Sequence, residues 1–356
     1  RSRGLGDVYK RQIHAVCSEL EMRKEYLGGE TIETIYWGGG TPSQLDKEDF
    51  ETIFYYLHKN YSISSHPEIT LEANPDDLTP DYIAMLRTLP FNRLSMGIQT
   101  FNESILKVLQ RRHTARQAIE AFQNCRAAGF QNISIDLMYG LPGETLSTWQ
   151  QDLDQALLLH PEHLSAYHLI YEEDTVLWKL REQHKVEEAD EDLSVSLFST
   201  LIDRLTSEGY DHYEISNFSL PGLYSRHNSS YWTEKKYLGC GPSAHSYNGV
   251  SRQWNVASLD TYIKGISAGT PVFEIEELDL YTRYNDFVIT RIRTEWGMPL
   301  SKLRDEFGEK LYDYCLRMAA PHLKQGTLEL VNDILKLTRK GIFISDGIMS
   351  DMLWTD

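Results

Sequence analysis

The sequence predicts an α/β fold in which helices alternate with parallel strands. Between residues 13 and 171, short runs rich in β-branched and aromatic residues recur. The intervals between them carry apolar residues at the three-to-four spacing of a helix. Glycine or polar motifs follow the strands, at the edge where parallel α/β proteins build their binding sites. The predicted strands are residues 32–37, 69–73, 93–99, 133–138 and 163–170.

The helices between these strands are predicted from apolar spacing and from capping residues. One helical face is formed by Phe50, Ile53, Phe54 and Leu57. Thr79, which precedes Pro80, and Thr114 are residue types that cap helix N termini. Strands that regularly alternate with helices imply βαβ units, and therefore a parallel sheet.

Composition places the protein among acidic, intracellular chains. Its 356 residues are enough for one large α/β domain or a domain with an appendage, and the formal net charge is −17. Nucleic acid is an improbable partner, because binding phosphates requires clustered Lys and Arg. No apolar run approaches the ~20 residues that cross a bilayer. The four cysteines lie far apart without a CxxC pair, which favours a reducing compartment, by default the cytoplasm.

Four motifs stand where the predicted strands end. They are YWGGGTP at 36–42, EANP at 72–75, QT at 99–100 and DLMYGLPG at 136–143. A glycine run by itself is explained equally well by a tight turn, because glycine adopts positive φ freely. The series of motifs on successive strands favours a ligand that approaches the backbone closely.

This ordered series resembles the radical S-adenosylmethionine (SAM) superfamily, in particular the branch of oxygen-independent coproporphyrinogen III oxidases and heme chaperones. The resemblance implies a partial (β/α)6 barrel that here lacks its first strand, followed by a small α+β, winged-helix-like C-terminal domain. The family signature CxxxCxxC precedes the triple glycine, yet Cys17 is the only cysteine before Gly38. We therefore expect a [4Fe–4S] cluster in the full-length protein only, and no metal ligands in this chain.

The N-terminal residues suggest where that signature was lost. Residues 1–12 do not resemble the family, and DVYKRQ at 7–12 resembles one reading frame of a transposon adapter used in sequencing libraries. An ordinary disordered leader is the alternative, and either kind of segment is set aside in predicting the fold. We expect a non-native leader at 1–12, a radical SAM partial barrel at 13–275, and a C-terminal domain of the coproporphyrinogen oxidase type at 276–356.

The resemblance also implies a set of SAM contacts. They are Gly39, Gly40, Thr41, Glu72, Gln99, Arg111, Asp136 and Ile170. The residue types suit the ligand, because a guanidinium pairs with the methionyl carboxylate, and carboxylate or amide oxygens accept from the ammonium and ribose. The alternative for Glu72 and Asp136 is a cap or loop hydrogen bond. For Arg111 it is an exposed charge, since Arg112 adjoins it.

The segment from 209 to 247 contains a motif that distinguishes the heme chaperones from the oxidases. HNSSYW at 227–232 matches the HNxxYW element of the heme chaperones. Imidazole is a common axial ligand of heme iron, and aromatic rings can flank a porphyrin. Heme contacts are therefore expected at His227, Tyr231, Trp232 and His245. A structural histidine and core aromatic side chains remain the alternative.

Beyond residue 278 the pattern changes to helices followed by a hairpin. Residues 300–307 and 311–323 have helical spacing, residues 325–337 alternate around Asn332-Asp333, and Thr338 begins a last helix. This arrangement resembles a winged helix, for which the acidic charge favours a lid or docking role over DNA binding. Residues 172–192 are expected to be an acidic, solvated connection.

Three functions follow from these observations. The first is a heme chaperone that binds heme and SAM and delivers heme to heme proteins such as respiratory enzymes, touching a membrane only through such an acceptor. The second is the oxygen-independent coproporphyrinogen III oxidase of porphyrin biosynthesis. The third is a cluster-less, inactive scaffold. The HNxxYW element and the chain length favour the chaperone, and no catalytic residue is assigned.

Overall fold

The computed structural model describes residues 3–355, with side chains from residue 8 onward. The helices are α1 (Arg3–Met22), α2 (Lys47–Asn60), α3 (Pro80–Leu86), α4 (Glu103–Val108), α5 (Ala115–Ala127), α6 (Leu146–Leu158), α7 (Val176–Glu182), α8 (Glu191–Ser207), α9 (Arg226–Trp232), α10 (Leu259–Ser267), α11 (Leu280–Ile292), α12 (Leu300–Gln325), α13 (Arg339–Ile342) and α14 (Ser345–Met352). The strands are β1 (Ile32–Trp37), β2 (Ile63–Ala73), β3 (Arg93–Gln99), β4 (Ile133–Tyr139), β5 (His163–His168), β6 (Asp211–Glu214), β7 (Asn217–Ser219), β8 (His245–Tyr247), β9 (Ser251–Asn255), β10 (Phe273–Glu277), β11 (Met298–Pro299), β12 (Leu328–Val331) and β13 (Ile334–Leu337).

The chain forms two compact units, each assembled from separate stretches of sequence. The first comprises residues 1–34, 45–67 and 226–356, and the second comprises residues 35–44 and 68–225. Among the described residues, no helix is both long enough and apolar enough to cross a membrane.

The second unit contains most of a seven-stranded sheet. The strand order is β1-β2-β3-β4-β5-β7-β6. Strands β2 to β5 pair in parallel, whereas β7 pairs antiparallel with β5 and β6 pairs antiparallel with β7. All five predicted strands are present and the parallel sheet is confirmed. Strand β2 begins six residues earlier than the prediction of residue 69, at Ile63, and β5 ends at His168 rather than at 170.

The strands of this sheet separate apolar from polar side chains. Leu94, Met96 and Ile98 on β3 are fully buried, and they alternate with Arg93 and Ser95. The alternation continues in β4 and β5, where the buried polar residues include Ser134, His163 and Ser165. They bond one another across the sheet, since His163 lies 2.8 Å from Ser134 Oγ and 2.7 Å from the Tyr213 hydroxyl. Hydrogen bonds between strands therefore satisfy much of this polar face, whereas Thr70 Oγ1 and Arg93 Nε have no partner among the described residues.

Two predicted helix starts are confirmed, and a helix stands where a connection was predicted. Thr79 and Thr114 cap α3 and α5, and Gln117 completes a capping box at the latter. The stretch 172–192 contains α7, which is capped by Thr175, so the prediction of a simple connection was wrong there. Its acidic surroundings masked a short helix that has no buried residue to reveal a periodic pattern.

The first unit carries two small sheets, with strand orders β10-β9-β8 and β11-β13-β12. The predicted hairpin is β12–β13, in which Asn332 and Asp333 both adopt positive φ, at 49° and 68°. The two helices predicted between 300 and 323 form α12, which Gly308 interrupts at φ 79°. The helical pattern was therefore correct on both sides of this glycine.

A buried carboxylate fastens α1 within the first unit. Glu19 has no exposed surface, yet it accepts hydrogen bonds from Arg23 at 3.1 Å, the Gly241 amide at 2.9 Å, Asn255 at 2.8 Å and the Tyr262 hydroxyl at 2.6 Å. These four donors satisfy a charge that would otherwise be costly to bury.

Candidate functional site

The glycine motif after β1 is fitted around Glu72 at the end of β2. The Tyr36 hydroxyl donates to one carboxylate oxygen of Glu72 at 2.6 Å, and the Gly39 amide donates to the other at 3.2 Å. A Cβ on Gly38 would lie 2.6 Å from the Tyr36 ring and 2.8 Å from a Glu72 oxygen. Residue 38 must therefore lack a side chain. The observed bonds of Glu72 are those of the alternative interpretation, a loop hydrogen bond, and SAM binding by Glu72 stays a prediction.

Gly39 and Gly40 leave open space at the same loop. Both have positive φ, 70° and 69°, and a Cβ built on either would meet no atom within 4 Å. Positive φ explains why glycine is favoured here. The open space adds a surface that a ligand can approach, next to half-buried Thr41.

Arg111 is held at the end of β3 and does not extend into solvent as a surface charge. One terminal nitrogen donates to Asn74 Oδ1 and to the Gly97 carbonyl, both at 2.7 Å. Its Nε is buried and has no hydrogen-bond partner among the described residues. Neighbouring Arg112 is exposed and pairs with Asp76 at 2.9 Å. The two arginines thus differ, and Arg111 retains an unused donor for an anionic group.

Asp136 on β4 faces the same strand ends. Ser95 Oγ lies 3.1 and 3.0 Å from the two Asp136 oxygens, and Ser95 itself pairs in register with Glu72. Burial raises the pKa of Asp136 to about 6, although the Ser95 hydrogen bond and the nearby Arg93 act in the opposite direction. The carboxylate is therefore ionised at neutral pH and protonated under mildly acidic conditions.

The two remaining predicted contacts also lie at strand ends. Gln99 has φ 72°, unusual for a residue with a side chain, and the β3–β4 register shifts between Gly97 and Gln99. Ile170, just beyond β5, is an exposed large apolar side chain, with 75% of its surface accessible. The second unit thus contains all the predicted SAM contacts, most of them at or just beyond the ends of β1, β2, β3 and β5, with Asp136 inside β4 and Arg111 in the loop before α5.

Sequence reasoning missed the residues that support these groups. Tyr36, Ser95 and Asn74 each hold one of the predicted contacts by hydrogen bonds. Asn74 suggested only a strand end and a turn. Tyr36 and Ser95 stand at alternate positions from apolar residues within their strands, and this alternation is the signal that could have placed them on the polar face.

The predicted heme residues belong to the first unit and form an aromatic cluster. Both ring nitrogens of His227 are engaged, Nδ1 with Thr34 Oγ1 and Nε2 with the Tyr231 hydroxyl, each at 2.9 Å. The Tyr231 and Tyr237 rings meet edge to face, with centroids 4.8 Å apart. In Trp232 the indole nitrogen is buried without a described partner, and the Arg293 guanidinium lies 4.2 Å from the centroid of its ring.

His245 differs from His227 in its surroundings. It is exposed and stacks on Trp254, with ring centroids 6.0 Å apart. Within residues 3–355, no described hydrogen bond engages its ring nitrogens. To coordinate iron, Nε2 of His227 must first give up its hydrogen bond with the Tyr231 hydroxyl. His245 has no such bond to break.

The cysteines present do not fit an iron–sulfur cluster. Cys17, Cys125 and Cys315 are buried on α1, α5 and α12, and burial raises their thiol pKa values to about 11, 12 and 11. Cys240 lies between α9 and β8, and burial also raises its thiol pKa. Across the described part of the chain, no three potential metal ligands gather into a site. A cluster needs converging thiolates, which these four cysteines do not provide.

The donor set at the strand ends does fit SAM. A guanidinium with an unused buried nitrogen, two carboxylates, an amide side chain and an open glycine loop match a zwitterionic amino acid that carries a ribose. Together with the curled parallel sheet, this arrangement is that of a radical SAM protein.

Comparisons with known proteins agree with this class. The sequence matches the radical SAM superfamily over residues 8–156 and the HemN C-terminal domain over residues 278–344. It is 32% identical over 344 residues to a protein of Mycobacterium tuberculosis named heme chaperone HemW, covering 96% of this chain and 86% of the relative. A Lactococcus lactis protein of the same name is 32% identical over 330 residues, covering 92% of this chain and 86% of the relative. The chain belongs to the HemW family of radical SAM proteins.

A solved structure confirms the fold. Coproporphyrinogen III oxidase (HemN) from Escherichia coli, described as a radical SAM enzyme, superposes with a TM-score of 0.84 and 22% identity, covering 99% of this chain and 84% of that one. The expected partial barrel with an additional C-terminal domain is therefore confirmed. At this identity the match shows the fold and does not choose between the two activities of the branch.

Proposed function

We propose that this protein is a heme chaperone, which binds heme and SAM and passes heme to heme proteins such as respiratory enzymes. The single observation that carries the proposal is the geometry of the HNxxYW element. It places His227 and Tyr231 in one aromatic cluster, which Tyr237 joins from outside the element. An imidazole and flanking rings are what a porphyrin iron requires. The names of the two relatives support the same function.

Within this proposal, His227 is the axial ligand. Its Nδ1 stays bonded to Thr34 Oγ1, which orients the ring, while Nε2 leaves the Tyr231 hydroxyl for iron. Tyr231 and Trp232 then contact the porphyrin face. His245 is the second candidate, because its ring nitrogens carry no described hydrogen bond.

The second unit would hold SAM, which supplies a sulfonium cation when bound. Arg111 pairs with the methionyl carboxylate through the nitrogens that Asn74 and Gly97 leave unused. Glu72, Gln99 and Asp136 accept from the ammonium and ribose groups, and Gly39, Gly40 and Thr41 line the approach. Ile170 contributes an apolar surface for the adenine.

The alternative is the oxygen-independent coproporphyrinogen III oxidase, whose branch shares this fold. Oxidative decarboxylation requires a bound tetracarboxylate porphyrinogen, whereas heme delivery requires a cleft and an axial ligand. The cluster-less scaffold is the third candidate, which the absence of converging thiolates in the described residues favours. We place the protein in the cytoplasm, with membrane contact only through an acceptor.

A heme titration and a transfer assay test this proposal. We expect the purified chain to bind heme in a 1:1 complex with a defined Soret band, and to lose that band when an apo-form heme acceptor is added. We expect no protoporphyrinogen from coproporphyrinogen III under anaerobic conditions with SAM and a reductant, even after a CxxxCxxC cluster loop has been restored to the chain. Porphyrinogen turnover would favour the oxidase, and neither heme binding nor turnover would favour the scaffold.

A further inference from the structure

The carboxylate of Asp77 connects three loops of the second unit. Asp77 ends the short 3-10 turn after β2. One of its oxygens accepts from Ser43 Oγ at 2.7 Å, and the other accepts from the Gln44 side-chain amide and from Arg112 at 3.3 Å. Only 7% of the Asp77 side chain is exposed, which shields the bonds from Ser43 and Gln44 better than the bond from Arg112, whose side chain is 62% exposed.

Each connected loop carries residues assigned above to SAM. Ser43 follows Thr41 by two positions in the glycine loop. Arg112 adjoins Arg111, and Asp77 itself lies five residues after Glu72. Because Asp77 is hydrogen-bonded to both loops, a shift of its carboxylate would move the glycine loop relative to the loop that carries Arg111.

Simple loop stabilisation is the competing explanation. Asp76 also pairs with Arg112, at 2.9 Å, and Asn74 holds Arg111, so the arginine loop is already tied to the loop after β2 that contains Asp77. In the described structure, the hydrogen bonds from Ser43 and Gln44 link the end of the glycine loop to the β2 loop through Asp77. These two hydrogen bonds fix the position of the glycine loop beside the proposed SAM site.

We propose that Asp77 is a positioning residue of the SAM site, which sets the separation between the glycine loop and Arg111. The inference rests on the proposed function, because it requires SAM to bind at these strand ends. Asp77 touches no ligand atom in this proposal and acts through Ser43, Gln44 and Arg112.

Calorimetric titration of the full chain with S-adenosylhomocysteine tests the inference. This probe retains the carboxylate, ammonium and ribose of SAM. We expect Asp77→Ala to weaken binding about tenfold, equivalent to roughly 1.4 kcal/mol. Asp77→Asn should restore part of the loss, because the amide oxygen still accepts from Ser43 while its NH2 group cannot accept from Arg112. Asp154→Ala is the matched control, since it removes an exposed ion pair with Arg204.

Urea unfolding of each variant separates positioning from stability. A merely structural Asp77 would lower the unfolding midpoint and leave the affinity of the folded protein unchanged, which would overturn the inference. If Asp77→Ala fails to fold, Ser43→Ala and Arg112→Gln each remove one link and should weaken binding by a few-fold; unchanged affinity in both would also overturn it. Failure of the wild-type chain to bind the probe would overturn the proposed SAM site together with this inference.

Discussion

Asn74 and Arg111 form a direct side-chain contact, in which a guanidinium nitrogen donates to the amide oxygen at 2.7 Å. A neutral partner orients the cation without neutralising it. A carboxylate at position 74 would compensate the charge and leave less attraction for a ligand anion. The arginine of this site is therefore both fixed and available, as a recognition group for a methionyl carboxylate must be.

Arg111→Ala should weaken the binding of SAM by about 1.5–3 kcal/mol, the usual range for a hydrogen bond to a charged group. Calorimetry with SAM measures the effect. Arg116→Ala is the control, because Arg116 is an exposed helix residue paired with Glu120. Equal affinities for wild type and Arg111→Ala would remove Arg111 from the site.

Gly38→Ala should abolish SAM binding while the protein remains folded. The added methyl group would meet the Tyr36 ring and Glu72 at less than 3 Å, so the carboxylate must move away from the Gly39 amide. Gly347→Ala, on α14 with no atom near the new methyl group, is the matched control and should bind normally. Normal binding by Gly38→Ala would show that the position of Glu72 is unimportant.

SAM binding should weaken as the pH falls through about 6, because Asp136 takes up a proton there and ceases to attract the ammonium or ribose donors. Affinity measured between pH 5 and 7.5 checks this. Asp136→Asn should bind weakly with a flat profile over the same range. A wild-type profile as flat as that of the variant would assign the acceptor role to another group.

Glu144→Gln should stabilise the protein at neutral pH. Burial raises the pKa of Glu144 to about 7 in the folded protein. At pH values between the pKa of the unfolded chain and that of the folded protein, the folded protein binds this proton more tightly than the unfolded chain. The ionised group therefore costs stability above pH 7, and this cost disappears on acidification. We expect a gain on the order of 1–3 kcal/mol at pH 8, shrinking toward pH 5.

Urea unfolding of wild type and variant at several pH values measures that difference. Glu120→Gln, which alters an exposed helix position, is the control. A gain independent of pH would attribute the effect to packing rather than to titration.

His227→Ala should shift the heme absorption spectrum and slow transfer to an acceptor, because the axial imidazole is lost. His245→Ala should change the spectrum less. Thr34→Val adds a separate readout, since it removes the orienting bond to Nδ1 while keeping the imidazole. The reverse order, with His245→Ala giving the larger shift, would make His245 the ligand.

Much of the second unit could be predicted, because alternation and helix caps are local properties. Thr79 and Thr114 cap their helices through bonds to residues only three positions away. Strand β3 has the bounds that its sequence indicated. Helix α7 escaped prediction because none of its side chains is fully buried, and only Leu177 and Trp178 pack partly buried against a core cluster. No periodic apolar face marks such a helix.

The residues that we predict to contact SAM could be named from sequence, but the side chains that support them could not. Glu72 stands near the end of β2 and Asp136 in the middle of β4, where strand and motif patterns place them. The partners of these carboxylates depend on distances across the sheet, such as that of Ser95 to Asp136. Likewise, the bond that occupies Nε2 of His227 arises from a helical turn that brings Tyr231 beneath it, and the HNxxYW pattern does not disclose which atoms meet.

The buried Glu19 has a consequence for synthesis on the ribosome. Its hydrogen-bond partner Tyr262 is 243 residues further along the chain. At about 5–20 residues per second, translation needs roughly 12–50 s to supply that partner. During this interval, burying the Glu19 carboxylate without its partner would cost a large desolvation free energy. This face of helix α1 therefore stays exposed to solvent. The ribosome therefore synthesises all of the second unit, which ends at residue 225, before the C-terminal part of the first unit can pack against helix α1.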